Sequence, residues 1–282
     1  MLKQRIITAL VMLAILVPVV LYPDSRLFSV VTLVLVSAGG WEMGRLTGWG
    51  RWGAVAAGGA CLALGGFLWG VGAMKMSLGS LWLLATAFWV LFSGWVLRQG
   101  AVSWLAVPRG LRVVGGVFAL MAAWVAVSQA RFIGINYLFS VLCLVWAADV
   151  GAYFAGRSLG GKFIRRKLAP AVSPGKTWEG AFGGCLTVFL VAALWQLLEG
   201  RGALGSVPGL YTRLSDHGGV FYGVALLFLV TMSVVGDLVE SLLKRSVGAK
   251  DSSGLLPGHG GILDRVDALL PVLPIAMMLG TL

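Results

Sequence analysis

Gly218-Gly-Val-Phe-Tyr-Gly-Val-Ala-Leu-Leu-Phe-Leu-Val-Thr-Met-Ser-Val-Val-Gly-Asp-Leu238 is a run of 21 residues with a single charged side chain, Asp237, at its end. At the helical rise such a run covers about 30 Å, the thickness of bilayer hydrocarbon. It predicts a membrane-crossing helix that finishes in a carboxylate at the water–lipid boundary. Outward from it the pattern repeats, with apolar runs at 6–23, 27–41, 52–73, 78–97, 111–130, 135–155, 178–199, 218–238 and 262–282. Hydrophobic residues make up 59% of the 282 and charged residues 12%, more apolar surface than a soluble domain can hide. The expected fold is all-α, a polytopic integral membrane bundle of about nine helices.

We divide the chain into 1–134, N-terminal transmembrane helices with about five spans, and 135–282, a C-terminal catalytic region with loops 156–177 and 239–261. With the N-terminus in the cytoplasm, every Lys and Arg except Arg26, Lys75, Arg131, Arg201 and Arg213 falls on the inner side, as the positive-inside rule asks. Loops 156–177 and 239–261 are separated by one outward and one inward crossing, so they share the cytoplasmic face. The net charge of +11 is accounted for by basic loops facing anionic membrane lipids, with no nucleic acid as partner. Met1-Leu-Lys3-Gln-Arg5 and the apolar run to Tyr22 have the outline of a signal peptide, but no small-residue cleavage site precedes Pro23-Asp24 and a retained span is expected. Cys61, Cys143 and Cys185 lie in apolar runs without CxxC spacing, which points to small buried hydrophobes rather than disulfides or zinc.

The chemistry is crowded between Ser241 and Asp267. This segment holds Lys244, Arg245, Lys250 and Arg265 together with Asp251, Asp264 and Asp267, around Pro257-Gly-His259-Gly260-Gly261. Cations offset phosphate charge, carboxylates hold a divalent ion, and glycines let backbone N–H groups approach anionic oxygens, so the mixture suits metal-assisted phosphoryl chemistry. The last apolar run, 268–282, is short for a span, and starting its helix near Ile262 places Asp264 and Asp267 at i and i+3 on one face. There they hold a cation, or else pair with a neighbour such as Arg265 or Lys244. If the helix of Asp237 continues, Ser241 and Lys244 align with it at i+4 and i+7, and Lys244-Arg245 faces an anion or snorkels at the membrane edge. His259 hydrogen-bonds a phosphate, ligates metal or simply orders its loop. A second His217-Gly-Gly219 on the opposite face, without carboxylates, shows how little that tripeptide says alone.

The other inner loop supplies the second half. Asp149 lies inside the sixth span with Tyr153 one turn on, and an ionisable group within a membrane helix is a functional candidate. Ser173-Pro-Gly-Lys176-Thr177-Trp-Glu179-Gly180 precedes an apolar helix and offers an anion nest at its N-terminus. Gly-Lys-Thr is not a P-loop here, because the upstream Gly and the preceding strand are missing. Arg165-Arg166-Lys167 reads as a topology signal.

Ser241-x2-Lys244-Arg245-x4-Lys250-Asp251-x-Ser253-x2-Leu256-Pro257-x-His259-Gly260-Gly261-Ile262-x-Asp264-Arg265-Val266-Asp267 resembles the signature of the phosphatidate cytidylyltransferases, also called CDP-diacylglycerol synthases. Asp149-x3-Tyr153-x2-Gly156-Arg157 and Ser173-Pro174-x-Lys176-Thr177-x-Glu179-Gly180 are similar to the same family's preceding loop, and Leu2-Lys3-Gln-Arg5 to its start. The resemblance implies transfer of the cytidylyl group of CTP to phosphatidic acid, giving CDP-diacylglycerol and pyrophosphate, with Mg²⁺, in the bacterial cytoplasmic membrane. The number of metal ions and a monovalent companion ion stay open, and the resemblance suggests a homodimer. On this reading Asp237, Asp264 and Asp267 hold the metal, while Lys244, Arg245 and Lys250 neutralise the leaving pyrophosphate. Ser173, Lys176, Thr177, Ser241, His259, Gly260, Gly261 and Arg265 contact phosphate groups, and Asp149, Tyr153 and Asp251 support the site.

Two other readings compete. A CDP-alcohol phosphotransferase needs a D-G-x-x-A-R pattern with further spaced aspartates, and that pattern is absent. An anion transporter needs intramembrane acids and matching broken helices in its two halves, whereas here the chemistry is confined to one face.

Overall fold

A computed structural model describes the backbone of residues 2–282 and the side chains from Gln4 onward; Lys3, counted above with the inner-face cations, lies outside the described side chains. Among the described residues, eight helices are long and apolar enough to cross a bilayer. They are α1 (Leu2–Leu21), α2 (Ser25–Leu46), α3 (Gly50–Gly70), α4 (Gly79–Ala106), α5 (Arg109–Ile133), α6 (Ile135–Leu159), α7 (Trp178–Gly200) and, after the short α8 (Leu210–Ser215), α9 (Gly219–Ser246). The protein is a polytopic helical membrane protein.

The ninth expected span differs. Residues 262–282 fold as α10 (Leu263–Val266) and α11 (Leu269–Gly280), broken around Asp267 and Ala268. Pro271 explains the break: in a continuous helix its ring would collide with the carbonyl of Asp267, four residues back. α11 has 12 residues, about 18 Å of helix, too short to cross. It is buried almost throughout and packs against α4, α5, α6, α8 and α9. A helix that is apolar all round suits a bundle core as well as lipid, which is why hydropathy alone counted it as a crossing.

α9 runs on to Ser246, so the loop expected at 239–261 begins only after that residue. The continuation puts Asp237, Glu240, Ser241 and Lys244 on successive turns of one helix. α4 also continues past 97, to Ala106, through a kink at Gly100, whose φ of 80° is open to glycine but strained for other residues.

Glycine lets the two closest helix pairs approach. On α2, a Cβ at Gly44 would lie 2.6 Å from Ala54 Cα of α3. On α7, a Cβ at Gly184 would lie 2.6 Å from the Ala148 carbonyl of α6. Small residues at such contacts are how membrane helices gain van der Waals packing where no hydrophobic drive separates them from lipid. The α6–α7 contact fixes how the wall bearing Asp149 faces the start of α7. At the opposite end of α7, Glu199 accepts hydrogen bonds from Asn136 Nδ2, Trp195 Nε1 and Gly209 N at 2.5, 3.1 and 2.8 Å, tying α6, α7 and the α8 segment together. Cys61 is buried, Cys143 and Cys185 are half-buried, and none is bonded.

Candidate active site

The loop between α6 and α7 folds back on itself: Leu168 N donates to Lys176 O at 3.1 Å, and Ala169 bridges Ser173. Thr177 is the N-cap of α7, its Oγ1 accepting from Gly180 N at 3.1 Å. Glu179 in the first turn reaches back, and its Oε1 accepts from Gly161 N, Phe163 N and Ile164 N at 3.1, 3.1 and 2.8 Å. Thr177 and Glu179 are therefore spent on shaping the loop. Lys176 is left to project across it, and its Nζ lies 2.7 Å from Asp237 Oδ2 on α9.

Ser241, one turn beyond Asp237, donates its hydroxyl to Asp237 Oδ1 at 3.2 Å. Next on the stripe, Lys244 sits between two acids, with Asp264 Oδ1 at 2.5 Å and Glu240 in a close ion pair. The other oxygen of Asp264 accepts from Ser252 N, Ser252 Oγ and Gly261 N at 2.8, 2.8 and 2.7 Å. Burial pushes the Asp264 carboxyl upward, but the Lys244 ammonium and these donors outweigh it and hold it down at about 2. Asp264, expected to hold metal, has the alternative fate foreseen for it and pairs with Lys244.

Asp267 lies beyond the break and belongs to a different environment. Burial and then the charge of Asp237 push its carboxyl up to about 7, with Asp149 adding to the push, while Ala268 N and Lys244 oppose it. Three acids from α6, α9 and the α10–α11 hinge thus feel one another. Asp149 and Asp237 also line a cavity of about 510 Å³ with Tyr153, Arg157, Lys176 and Thr177. Tyr153 Oη accepts from Arg157 Nη1 at 3.1 Å at its rim.

Among the described residues no three acids, histidines or cysteines stand close enough to form a ready ligand set. The chemistry of the donors nonetheless fits a cation. Burial first, and then the charges of Asp237 and Asp149, push the Asp267 carboxyl up, while Lys176 pairs with Asp237. A divalent ion would offset those charges. Of the expected ligands, Asp264 is paired with Lys244, and Asp267 is coupled to Asp237 and to Asp149 of α6.

The remaining expected residues lie elsewhere. Lys250, Asp251, His259, Gly260 and Arg265 line a second cavity. Arg245 points outward and donates to Ala249 O at 3.3 Å. Gly261 is a packing point, because a Cβ there would lie 2.2 Å from Glu42 Oε1.

The chain matches the cytidylyltransferase family over residues 3–282. It is 37% identical over 278 residues to the phosphatidate cytidylyltransferase of Pseudomonas aeruginosa, covering 98% of this chain and 95% of that one. The proteins of the same name from Haemophilus influenzae and Bacillus subtilis are 44% and 43% identical over 141 residues, half of this chain and 44% and 46% of theirs. The chain belongs to the cytidylyltransferase family.

In this family member three acids carry structural work that sequence reading missed. Glu42 of α2 is fully buried and accepts from Ser252 Oγ, Ser253 Oγ, Ile262 N and Leu263 N at 3.0, 2.5, 2.9 and 2.8 Å, so the N-terminal half holds the signature loop from behind. As a lone carboxylate at the end of an apolar run, it is visible to the rule that singled out Asp149. Glu240 was legible as the i,i+4 partner of Lys244. Glu179, seen only as part of the resemblance, organises the loop that delivers Lys176.

Proposed function

We propose that this family member transfers the cytidylyl group of CTP to phosphatidic acid, releasing pyrophosphate, at the cavity between α6, α7 and α9. The observation that supports it best is the composition of that cavity. Acids and cations, Asp149, Asp237, Arg157 and Lys176, share it with an apolar wall of Ala148, Ala152, Ala181 and Val234. A lipid phosphate needs such a seat, with charge for the head group and apolar helix surface for the tails.

Phosphatidate is a phosphate monoester with a second pKa near 6, so at neutral pH its oxygen is already a dianionic nucleophile. A general base is unnecessary; the obstacle is repulsion between two phosphorylated reactants. Lys176 receives the lipid phosphate, with Arg157 lining the same cavity, and the loop ordered by Thr177 and Glu179 keeps the ammonium in place. Asp237, Asp267 and Asp149 are the residues that would hold Mg²⁺, which supplies charge neutralisation on the nucleotide phosphates when bound. Ser241 orients Asp237 through its hydrogen bond. The lipid oxygen forms its bond to the α-phosphorus as the bond from that phosphorus to the β-phosphate oxygen breaks in line, and the electron pair leaves with pyrophosphate. Lys244 and Lys250 stand on the signature side to offset the charge that accumulates there. The N-terminus and both signature loops face the cytoplasm of the bacterial inner membrane, where CTP arrives from water.

The test is pyrophosphate release from CTP by purified protein in mixed micelles, with and without phosphatidate. Release that requires both substrates and yields CDP-diacylglycerol supports the assignment. Lipid or anion flux without release of pyrophosphate contradicts it.

A further inference from the structure

The signature loop encloses a second cavity, of about 620 Å³, that shares no lining residue with the acidic one. Lys250, Asp251, Ser253, His259 and Arg265 line it, and so does Arg5 from α1. Three permanent cations face one carboxylate.

Arg5 is built into the site rather than merely close to it. The loop turns through Gly258 and Gly260, at φ 77° and 81°, closed by His259 N to Leu256 O and Leu256 N to Gly260 O, both at 2.8 Å. Positive φ at both places is open to glycine and strained for other residues. A Cβ at Gly258 would lie 3.0 Å from Arg5 Cγ, so the arginine stem packs on the turn. One helical turn on, Thr8 Oγ1 donates to Pro257 O at 2.8 Å and anchors α1 to the same turn. His259 Nδ1 is buried with no hydrogen-bond partner among the described residues, a polar atom left over beside the cations.

We propose that Arg5 is a further phosphate contact, supplied by the first helix to the signature residues of this cavity, where it helps hold the polyphosphate of a free nucleotide and the pyrophosphate released from it. The ligand chemistry is a multiply charged phosphate, for which clustered cations beside a glycine turn are suited. Two sources carry such groups, a soluble nucleotide and an anionic lipid head group. The walls favour the first: apart from Leu256 the lining is polar or glycine, with no seat for acyl chains, whereas the acidic cavity has one. Only the identity of the nucleotide rests on the function proposed above; binding of pyrophosphate itself does not.

The experiment is calorimetric titration of the full-length purified protein with pyrophosphate, and separately with a water-soluble short-chain phosphatidate. The variants are Arg5→Gln, Arg5→Lys and the charge-matched control Arg98→Gln, an exposed arginine outside both cavities. Losing a charged hydrogen-bond donor predicts pyrophosphate affinity lower by about tenfold in Arg5→Gln, partial recovery in Arg5→Lys and no change in Arg98→Gln. Phosphatidate affinity stays at the wild-type level in all three. Unchanged pyrophosphate affinity in Arg5→Gln overturns the proposal, and so does a selective loss of phosphatidate binding, which would make the cavity a lipid head-group site. Because no turnover is needed, a protein that binds pyrophosphate through Arg5 yet transfers no cytidylyl group refutes the proposed reaction and leaves this site standing.

Discussion

Lys176 Nζ lies 2.7 Å from Asp237 Oδ2, joining the loop before α7 to the end of α9. Both side chains are partly exposed, at 23% and 36%, so the pair adds at most about 1 kcal/mol to stability. Its value is placement, since it fixes a cation at the mouth of the acidic cavity. Lys176→Gln therefore lowers turnover by at least about tenfold, the scale expected for losing a charged contact to phosphate. Thermal unfolding in detergent shifts by no more than a few degrees. A large fall in the unfolding midpoint alongside the lost activity would assign Lys176 to the fold instead.

Lys244 is a different case, because it stands between Glu240 and Asp264 with little exposure on any partner. Removing the cation leaves two crowded carboxylates, and breaking such a buried network costs about 3–5 kcal/mol. Lys244→Met should fold poorly. Adding Glu240→Gln removes one of the stranded charges and recovers part of the stability but none of the turnover, and a double-mutant cycle on unfolding and activity separates the two effects.

Glu42 holds the signature loop through four donors, two of them the backbone N–H groups of Ile262 and Leu263. Glu42→Ala strands these donors in the interior at about 1–3 kcal/mol for each that finds no water. The expected result is a lower unfolding midpoint and faster proteolysis within 247–262. Glu42→Gln keeps one acceptor oxygen and falls between the two. Protease resistance equal to wild type in Glu42→Ala would show that the loop is held from elsewhere.

The α6–α7 contact has no room for a side chain at Gly184, where a Cβ meets the Ala148 carbonyl at 2.6 Å. Gly184→Leu must spread the helices and so move Asp149 relative to the start of α7. Detergent-extracted yield and turnover both fall. Gly94→Ala on α4, where an added Cβ meets nothing within 4 Å, leaves both unchanged.

The crossings α1 to α9 were legible because each is a long apolar run, and the signature acids because charge is rare in this chain. What hydropathy could not separate is a helix solvated by lipid from one solvated by other helices. α11 is as apolar as a span, yet Pro271 and the polar demands of Asp264 and Asp267 confine it to the bundle interior. The same break divides two acids that a continuous helix would put on one face. Asp264 turns to Lys244 and Ser252, while Asp267 is buried and feels the charges of Asp237 and Asp149. Glu42 was legible as a lone carboxylate at the end of an apolar run, but its partners are 210 and more positions away in sequence, a separation no local pattern encodes. Asp149, Tyr153 and Lys176 line one cavity, while Lys250, His259 and Arg265 line a second, a division that spacing alone could not make.

Asp237 touches Lys176 and Ser241 and, with burial, raises the Asp267 carboxyl. The most direct test is pyrophosphate release from CTP and phosphatidate as a function of Mg²⁺ concentration, for wild type and Asp237→Asn prepared with matching unfolding midpoints. A catalytic role for Asp237 predicts Mg²⁺-dependent release by wild type and loss of at least about a hundredfold in Asp237→Asn, the scale of removing a group that stabilises transition-state charge. Wild-type turnover with an unchanged Mg²⁺ dependence in Asp237→Asn would contradict it.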